Sequence, residues 1–109
     1  STKKGDMLMT KEQKEVHDFG AELGTLITNN KGYATSASYS EDLLRYQTNK
    51  NYDKCHQLIT ELALHYNCSM PTSILTLTSE TTEHEKVLVL YAYMMGFHNA
   101  SLEAKKKKK

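Results

Sequence analysis

An uncharged run of eleven residues, VLVLYAYMMGF at positions 87–97, constrains the fold of this chain more than any other feature. Thr82 and Glu85 precede it with the Thr-x-x-Glu spacing of a helix N-terminal capping box. Eleven residues make about three helical turns, so apolar side chains face every direction, which is typical of a buried helix. A membrane span needs about 20 such residues, so none is expected. The sequence predicts a central helix over residues 82–104.

A second helix is predicted at the start of the chain. Thr10 and Gln13 have capping-box spacing, and Gly32 follows as a helix stop. The apolar residues between them recur every three or four positions, namely Val16, Phe19, Leu23, Leu26 and Ile27. Gly20 and Gly24 are either tolerated glycines, a place where another helix approaches closely, or part of a self-association surface.

The middle of the chain predicts two more helices and one ambiguous segment. Residues 33–38 are rich in small side chains and predict a loop, followed by a helix that begins near Ser38 or Ser40. Another helix begins after Asn51, the expected N-cap, and continues to Tyr66. Residues 72–79 fit a short helix or an extended segment, and a short helix is favoured because a lone strand has nothing to pair with.

These segments predict an all-α fold, a compact bundle of four main helices plus one short helix around a buried C-terminal helix. A chain of 109 residues is expected to form one domain. We assign residues 10–104 to that domain, residues 1–9 to a flexible lead and residues 105–109 to a disordered lysine tail.

The formal net charge of +1 hides an uneven distribution. Five of the 14 basic residues are the final lysines, so the first 104 residues hold nine basic and 13 acidic residues. A dedicated nucleic-acid binder usually has a basic face on the domain itself. The start of the chain lacks the apolar run of a signal peptide, so we expect an intracellular and cytoplasmic location.

The cysteines and histidines give weak signals for chemistry. If residues 55–66 form one helix, Cys55 and His65 are about 15 Å apart along its axis, which is too far for both to bind one metal ion. Cys68 lies beyond the end of this helix, so a Cys55–Cys68 disulfide is excluded for the same reason. Cys55 lies on an apolar face and is expected in the core. No catalytic, cofactor or metal motif is recognised, so we predict no enzyme, no cofactor and no metal. Residues 63–74 have the outline of a helix-turn-helix, but residues 72–83 contain no Lys or Arg to face phosphates.

The favoured function is a small non-catalytic intracellular protein-interaction or regulatory module that binds a protein partner, with homo-oligomerisation as an open alternative. Its candidate partner-binding residues are Tyr33, Tyr39 and Tyr46, because exposed tyrosines are common at interfaces. Tyr39 and Tyr46 are seven residues apart and should share a helix face. A Met and Tyr stripe on the last helix, which includes Met94 and Met95, is interpreted as packing.

The alternative function is a nucleic-acid-binding accessory protein. Its cations would come from a small basic cluster and from the lysine tail, where tyrosines between the cations offer stacking surfaces. The candidate residues are Arg45, Lys50, Lys54, Lys105, Lys106, Lys107, Lys108 and Lys109. The tail is equally well explained as a helix-capping or a solubilising extension.

Overall fold

The computed structural model describes residues 9–78 and 80–108, and this part of the chain holds five α-helices and no strand. The helices are α1 (Lys11–Lys31), α2 (Tyr33–Thr48), α3 (Tyr52–His65), α4 (Thr72–Leu75) and α5 (Glu83–Lys108). The predicted all-α bundle of four main helices and one short helix is confirmed. None of these helices has the length and apolar character that crossing a membrane requires.

The predicted capping box opens α1. The Thr10 hydroxyl accepts a hydrogen bond from the Gln13 backbone N–H at 3.1 Å, and the Gln13 side chain accepts one from the Thr10 N–H at 3.0 Å. The two bonds satisfy N–H groups that have no partner within the helix. Val16, Leu23 and Ile27 then form a fully buried face.

Three glycines bring α1 and α5 into direct backbone contact. A Cβ on Gly20 would overlap the backbone of Tyr93, and one on Gly24 would overlap the backbone of Phe97. A Cβ on Gly96 would overlap the His17 carbonyl. The close-approach interpretation of Gly20 and Gly24 is therefore confirmed. Their use as a self-association surface is wrong, because both glycines are buried within the molecule.

α5 packs mainly against α1, to which it runs parallel, and against α2, with smaller contacts to α3 and α4. Leu90, Tyr93 and Phe97 are buried on one face, and the Tyr93 ring lies 5.6 Å from that of Phe19. The opposite face stays open, since Leu88 and Tyr91 are exposed. The neighbouring helices do not enclose α5. The prediction that its apolar side chains are buried on every side therefore holds for one face only.

The loop predicted at residues 33–38 is wrong, because these residues form the first turns of α2. Gly32, with φ of 101°, reverses the chain in a single residue. The small side chains at this point allow α1 and α2 to approach closely, and the buried Thr28 and Ser36 hydroxyls are hydrogen-bonded at 2.7 Å. The helix starts predicted at Ser38 and Ser40 are therefore interior positions of α2.

α3 and α4 cover the remaining side of the core. α3 begins one residue after Asn51, as predicted, although the Asn51 side chain forms no capping hydrogen bond. α4 is a single turn that buries Ile74, and the His56 Nε2 atom donates a hydrogen bond to the Ile74 carbonyl at 2.9 Å. The short-helix prediction for residues 72–79 is confirmed over Thr72–Leu75, and residue 79 lies outside the described residues.

The ends of the chain differ in what the structure describes. α5 continues through Lys108, four residues beyond the expected helix end at Ala104, so residues 105–108 are helical rather than disordered. Lysine is a good helix former, and cations stabilise a helix C-terminus. Residues 1–8 of the expected flexible lead, and Lys109, lie outside the described residues.

Candidate interaction groove

An open groove of about 300 Å³ lies between α2 and α5. Its walls are mainly apolar, and methionines form much of the α5 side. The lining residues are Tyr33, Ala37, Ser40, Glu41, Leu44, Met94, Met95 and His98. Unbranched, polarisable methionine side chains adapt to different apolar partners, which is why they are frequent on binding surfaces.

The groove follows two antiparallel helices. The Lys105 ammonium lies 4.5 Å from the centre of the Tyr33 ring at one end, and Leu44 and Met94 line the groove further along. Tyr33 and Leu44 are eleven residues apart on α2, a distance of about 16 Å along the helix axis. The groove is therefore about three helical turns long.

The apolar surface continues beyond the groove along α5. Leu88, Tyr91 and Met95 follow one another at spacings of three and four, so they share the face of α5 that borders the groove. Leu88 is 41% exposed, Tyr91 52% and Leu44, on α2, 55%. Single exposed apolar side chains are ordinary, whereas a contiguous set beside a groove is typical of an interaction site.

Two polar groups on the α2 wall have no partner within the described residues. The Ser40 hydroxyl is shielded from solvent and makes no hydrogen bond there. The Glu41 carboxylate is exposed and takes part in none of the ion pairs of this part of the chain. Of the two groups, only the exposed Glu41 carboxylate is accessible to a bound molecule.

The three candidate tyrosines do not form one site. Tyr33 lies in the groove, whereas Tyr39 and Tyr46 lie on the other side of α2, each beside Leu58 and Glu61 of α3. Tyr39 and Tyr46 thus share a face, as their spacing predicts, and both are half-buried against the core. Only Tyr33 belongs to the groove.

The candidate cations are divided between two places. Arg45 forms an ion pair with Asp42 at 2.9 Å, and Lys50 lies 3.7 Å from Glu83. Lys54 borders a separate shallow pocket beside Tyr46. These residues surround the end of α2, where acidic neighbours offset part of their charge.

The lysines of α5 lie near the start of α2. Lys105 covers the Tyr33 ring, Lys106 is 4.0 Å from Glu103, and Lys107 borders a pocket beside Thr25. Twelve residues of α2 separate Tyr33 from Arg45, or about 18 Å. The two groups of candidate cations therefore do not form one continuous basic face.

The thiols lie away from the groove. Cys55 is buried in the core, as predicted, and burial raises the pKa of its thiol to about 12. Burial and the neighbouring Glu22 carboxylate raise the pKa of Cys68. Within residues 9–78 and 80–108 no three His, Cys, Asp or Glu side chains are placed to hold a metal ion.

The helix-turn-helix outline ends in α4, whose four residues are too short for a recognition helix.

Sequence reasoning missed most of the groove. Their spacing predicts that Met94 and Met95 are packing residues, because apolar residues at helical spacing usually are. The sequence signal that could have indicated the groove is the width of the apolar region of α5, which exceeds what one neighbouring helix covers.

Comparison with protein-family models, with curated proteins and with solved structures gives no match to this chain.

Proposed function

We propose that this protein is a non-catalytic interaction module whose α2–α5 groove binds an amphipathic helix of a partner protein. The observation that carries the proposal is the apolar groove surface formed by the exposed Leu44 and the half-buried Met94 and Met95, which continues to the exposed Leu88 and Tyr91. The proposal places the module inside a cell, where its two free thiols stay reduced.

A helix suits the groove better than an extended segment does. Both walls are helices, and a third helix laid between them presents apolar residues at spacings of three and four to both. Three turns offer about four such residues. An extended peptide needs an unpaired sheet edge for its backbone, and the described part of the chain contains no strand.

The energetics favour a modest affinity. Complete burial of one large apolar side chain contributes about 1.5–3 kcal/mol, and association costs several kcal/mol in lost freedom. Four such anchors contribute about 6–12 kcal/mol before that cost, so the net binding free energy is at most about −8 kcal/mol, which corresponds to micromolar or weaker affinity. That affinity suits a regulatory contact that forms and dissociates readily.

Nucleic-acid binding ranks second. Arg45 and Lys50 are paired with carboxylates, and about 18 Å of α2 separates this cluster from the α5 lysines. Self-association through the groove is the other competing use, with Leu88 and Tyr91 of a second copy as the occupant.

The test uses two labelled helical peptides of 14 residues and equal composition. One has leucines at positions 1, 5, 8 and 12, and the other has them scrambled. We expect the first alone to bind in fluorescence anisotropy. Leu44→Glu places a charge in the groove and should weaken binding at least tenfold, whereas Leu64→Glu is the matched control, because Leu64 is 76% exposed on α3 and outside the groove.

Three outcomes count against the proposal. Equal binding of both peptides would show that helical spacing is not recognised. Equal loss in both variants would show that the groove is not the site. A dimer in sedimentation that Leu44→Glu dissociates would assign the groove to a second copy of the chain.

A further inference from the structure

The two ends of the groove differ in charge. At the Tyr33 end the Lys105 ammonium lies over the Tyr33 ring, and Lys106 follows it in the last turn of α5, 4.0 Å from the Glu103 carboxylate. Lys105 and Lys106 are both exposed, whereas Lys31 and Lys107 border other pockets. Toward the Leu44 end the unpaired charge on the groove wall is the Glu41 carboxylate, one turn before Leu44.

The Lys105 side chain places a positive charge at one end of the groove. Its ammonium lies 4.5 Å from the centre of the Tyr33 ring, a cation–π contact that keeps the charge at the end of the groove. Because Tyr33 also lines the groove, a helix that reaches this ring brings one of its ends beside Lys105.

We infer, on the basis of the proposed function, that the partner helix binds in one direction, with its C-terminal end and acidic residues beside Lys105 and Lys106. A helix carries partial negative charge at its C-terminus and partial positive charge at its N-terminus. This direction places the negative end at the lysines and the positive end near Glu41. Acidic side chains in the last turn of the partner complete the match and speed association.

The opposite direction is unfavourable at both ends. It would bring the positive N-terminal end of the partner helix to the lysines and its negative end to Glu41. The apolar contacts would be nearly the same in both directions, because methionine side chains adapt to either. Charge, rather than apolar fit, therefore selects the direction.

The test compares two 14-residue peptides that share leucines at positions 1, 5, 8 and 12. The forward peptide has lysines in its first turn and glutamates in its last turn, and the reversed peptide has these charges exchanged. The reversed peptide is the better helix when free, because its charges suit its own dipole. Intrinsic helicity therefore works against the expected preference.

We expect the forward peptide to bind about fivefold more tightly than the reversed one at about 50 mM salt, and the preference to disappear at about 500 mM salt. Lys105→Gln with Lys106→Gln should remove most of the preference and leave binding of the reversed peptide intact. The matched control is Lys11→Gln with Lys14→Gln, two exposed lysines of α1 away from the groove, which should change neither affinity. Circular dichroism verifies that both double variants are folded.

The outcomes separate this inference from the proposed function. Equal affinity of the two peptides, tighter binding of the reversed peptide, or a preference that persists in the Lys105 and Lys106 double variant would overturn the inferred direction and leave groove binding intact. If neither peptide binds the wild-type protein at either salt concentration, the proposed function itself fails.

Discussion

The Nζ atom of Lys105 lies 4.5 Å from the centre of the Tyr33 ring. This contact joins the last turn of α5 to the first turn of α2 at one end of the groove. The contact depends on two features of the backbone. Gly32 lets α2 begin immediately after α1, and α5 continues past Ala104.

The contact between α1 and α5 predicts that Gly96→Ala is strongly destabilising. A Cβ on Gly96 would overlap the backbone carbonyl of His17, and two helix backbones must separate to admit it. We expect a loss of about 3 kcal/mol in the free energy of unfolding, measured by urea denaturation. Gly32→Ala separates the two causes of loss, since nothing lies within 4 Å of its Cβ and only its backbone conformation, φ 101° and ψ 159°, opposes the substitution, at about 1–3 kcal/mol.

A stabilising Gly96→Ala would contradict this packing. Alanine is favoured over glycine in a helix by about 1 kcal/mol, so the substitution should raise stability wherever space exists.

The Tyr93 hydroxyl predicts a substitution that stabilises the protein. This side chain is fully buried, and its hydroxyl has no hydrogen-bond partner within the described residues. Tyr93→Phe removes the unpaired group and keeps the ring contacts with Phe19 and Phe97. We expect a gain of about 1 kcal/mol in urea denaturation. A loss of similar size would show that the hydroxyl has a partner, such as a buried water.

Cys55 predicts a loss of stability in alkali. Burial raises the pKa of its thiol from 9.0 to about 12, so above pH 9 the unfolded chain ionises this thiol while the folded protein keeps it neutral. The stability that the neutral thiol contributes is complete below pH 9 and is lost as the pH rises to about 12, at up to about 1.4 kcal/mol per pH unit.

The comparison with Cys55→Ala isolates this effect. The variant is expected to be about 1 kcal/mol less stable than the wild type at pH 7, because it leaves a small cavity, and to lose stability less steeply between pH 9 and 11. Parallel pH profiles of the two proteins would show that Cys55 ionises equally in the folded and unfolded states.

The division of the cations predicts weak nucleic-acid binding that depends on the α5 lysines. We expect the full chain to bind a labelled oligonucleotide at about 50 mM salt, to lose this binding at about 200 mM salt, and to lose it also when the chain ends at Ala104. Fluorescence anisotropy measures both effects. Binding that survives truncation and is lost in an Arg45→Gln, Lys54→Gln variant would instead assign the interaction to the α2 cluster and revive the alternative function.

Regular features of the fold were predictable from the sequence, because local chemistry determines them. The Thr10 and Gln13 capping box and the buried Val16, Leu23 and Ile27 face follow from residue spacing alone. The start of α2 was not predictable. Residues 33–38 resemble a loop in composition, and their helix depends on the Gly32 turn and on the Thr28–Ser36 hydrogen bond, which exist only in the packed structure.

The groove could not be predicted for a related reason. Met94 and Met95 have the spacing of core residues, and spacing does not show whether the neighbouring helix covers them completely. Tyr33 was selected as a candidate because a loop would expose it. It lies at the groove for a different reason, namely its position in the first turn of α2.

The most direct test of the account is methionine-methyl NMR during titration with the forward peptide. The chain has five methionines, and Met94 and Met95 line the groove, whereas Met70 packs against the core elsewhere and is the internal control. We predict that the Met94 and Met95 methyl signals shift and saturate together while the Met70 signal stays in place. Saturable binding that shifts Met70 and leaves Met94 and Met95 unchanged would contradict the assignment of the α2–α5 groove as the interaction site.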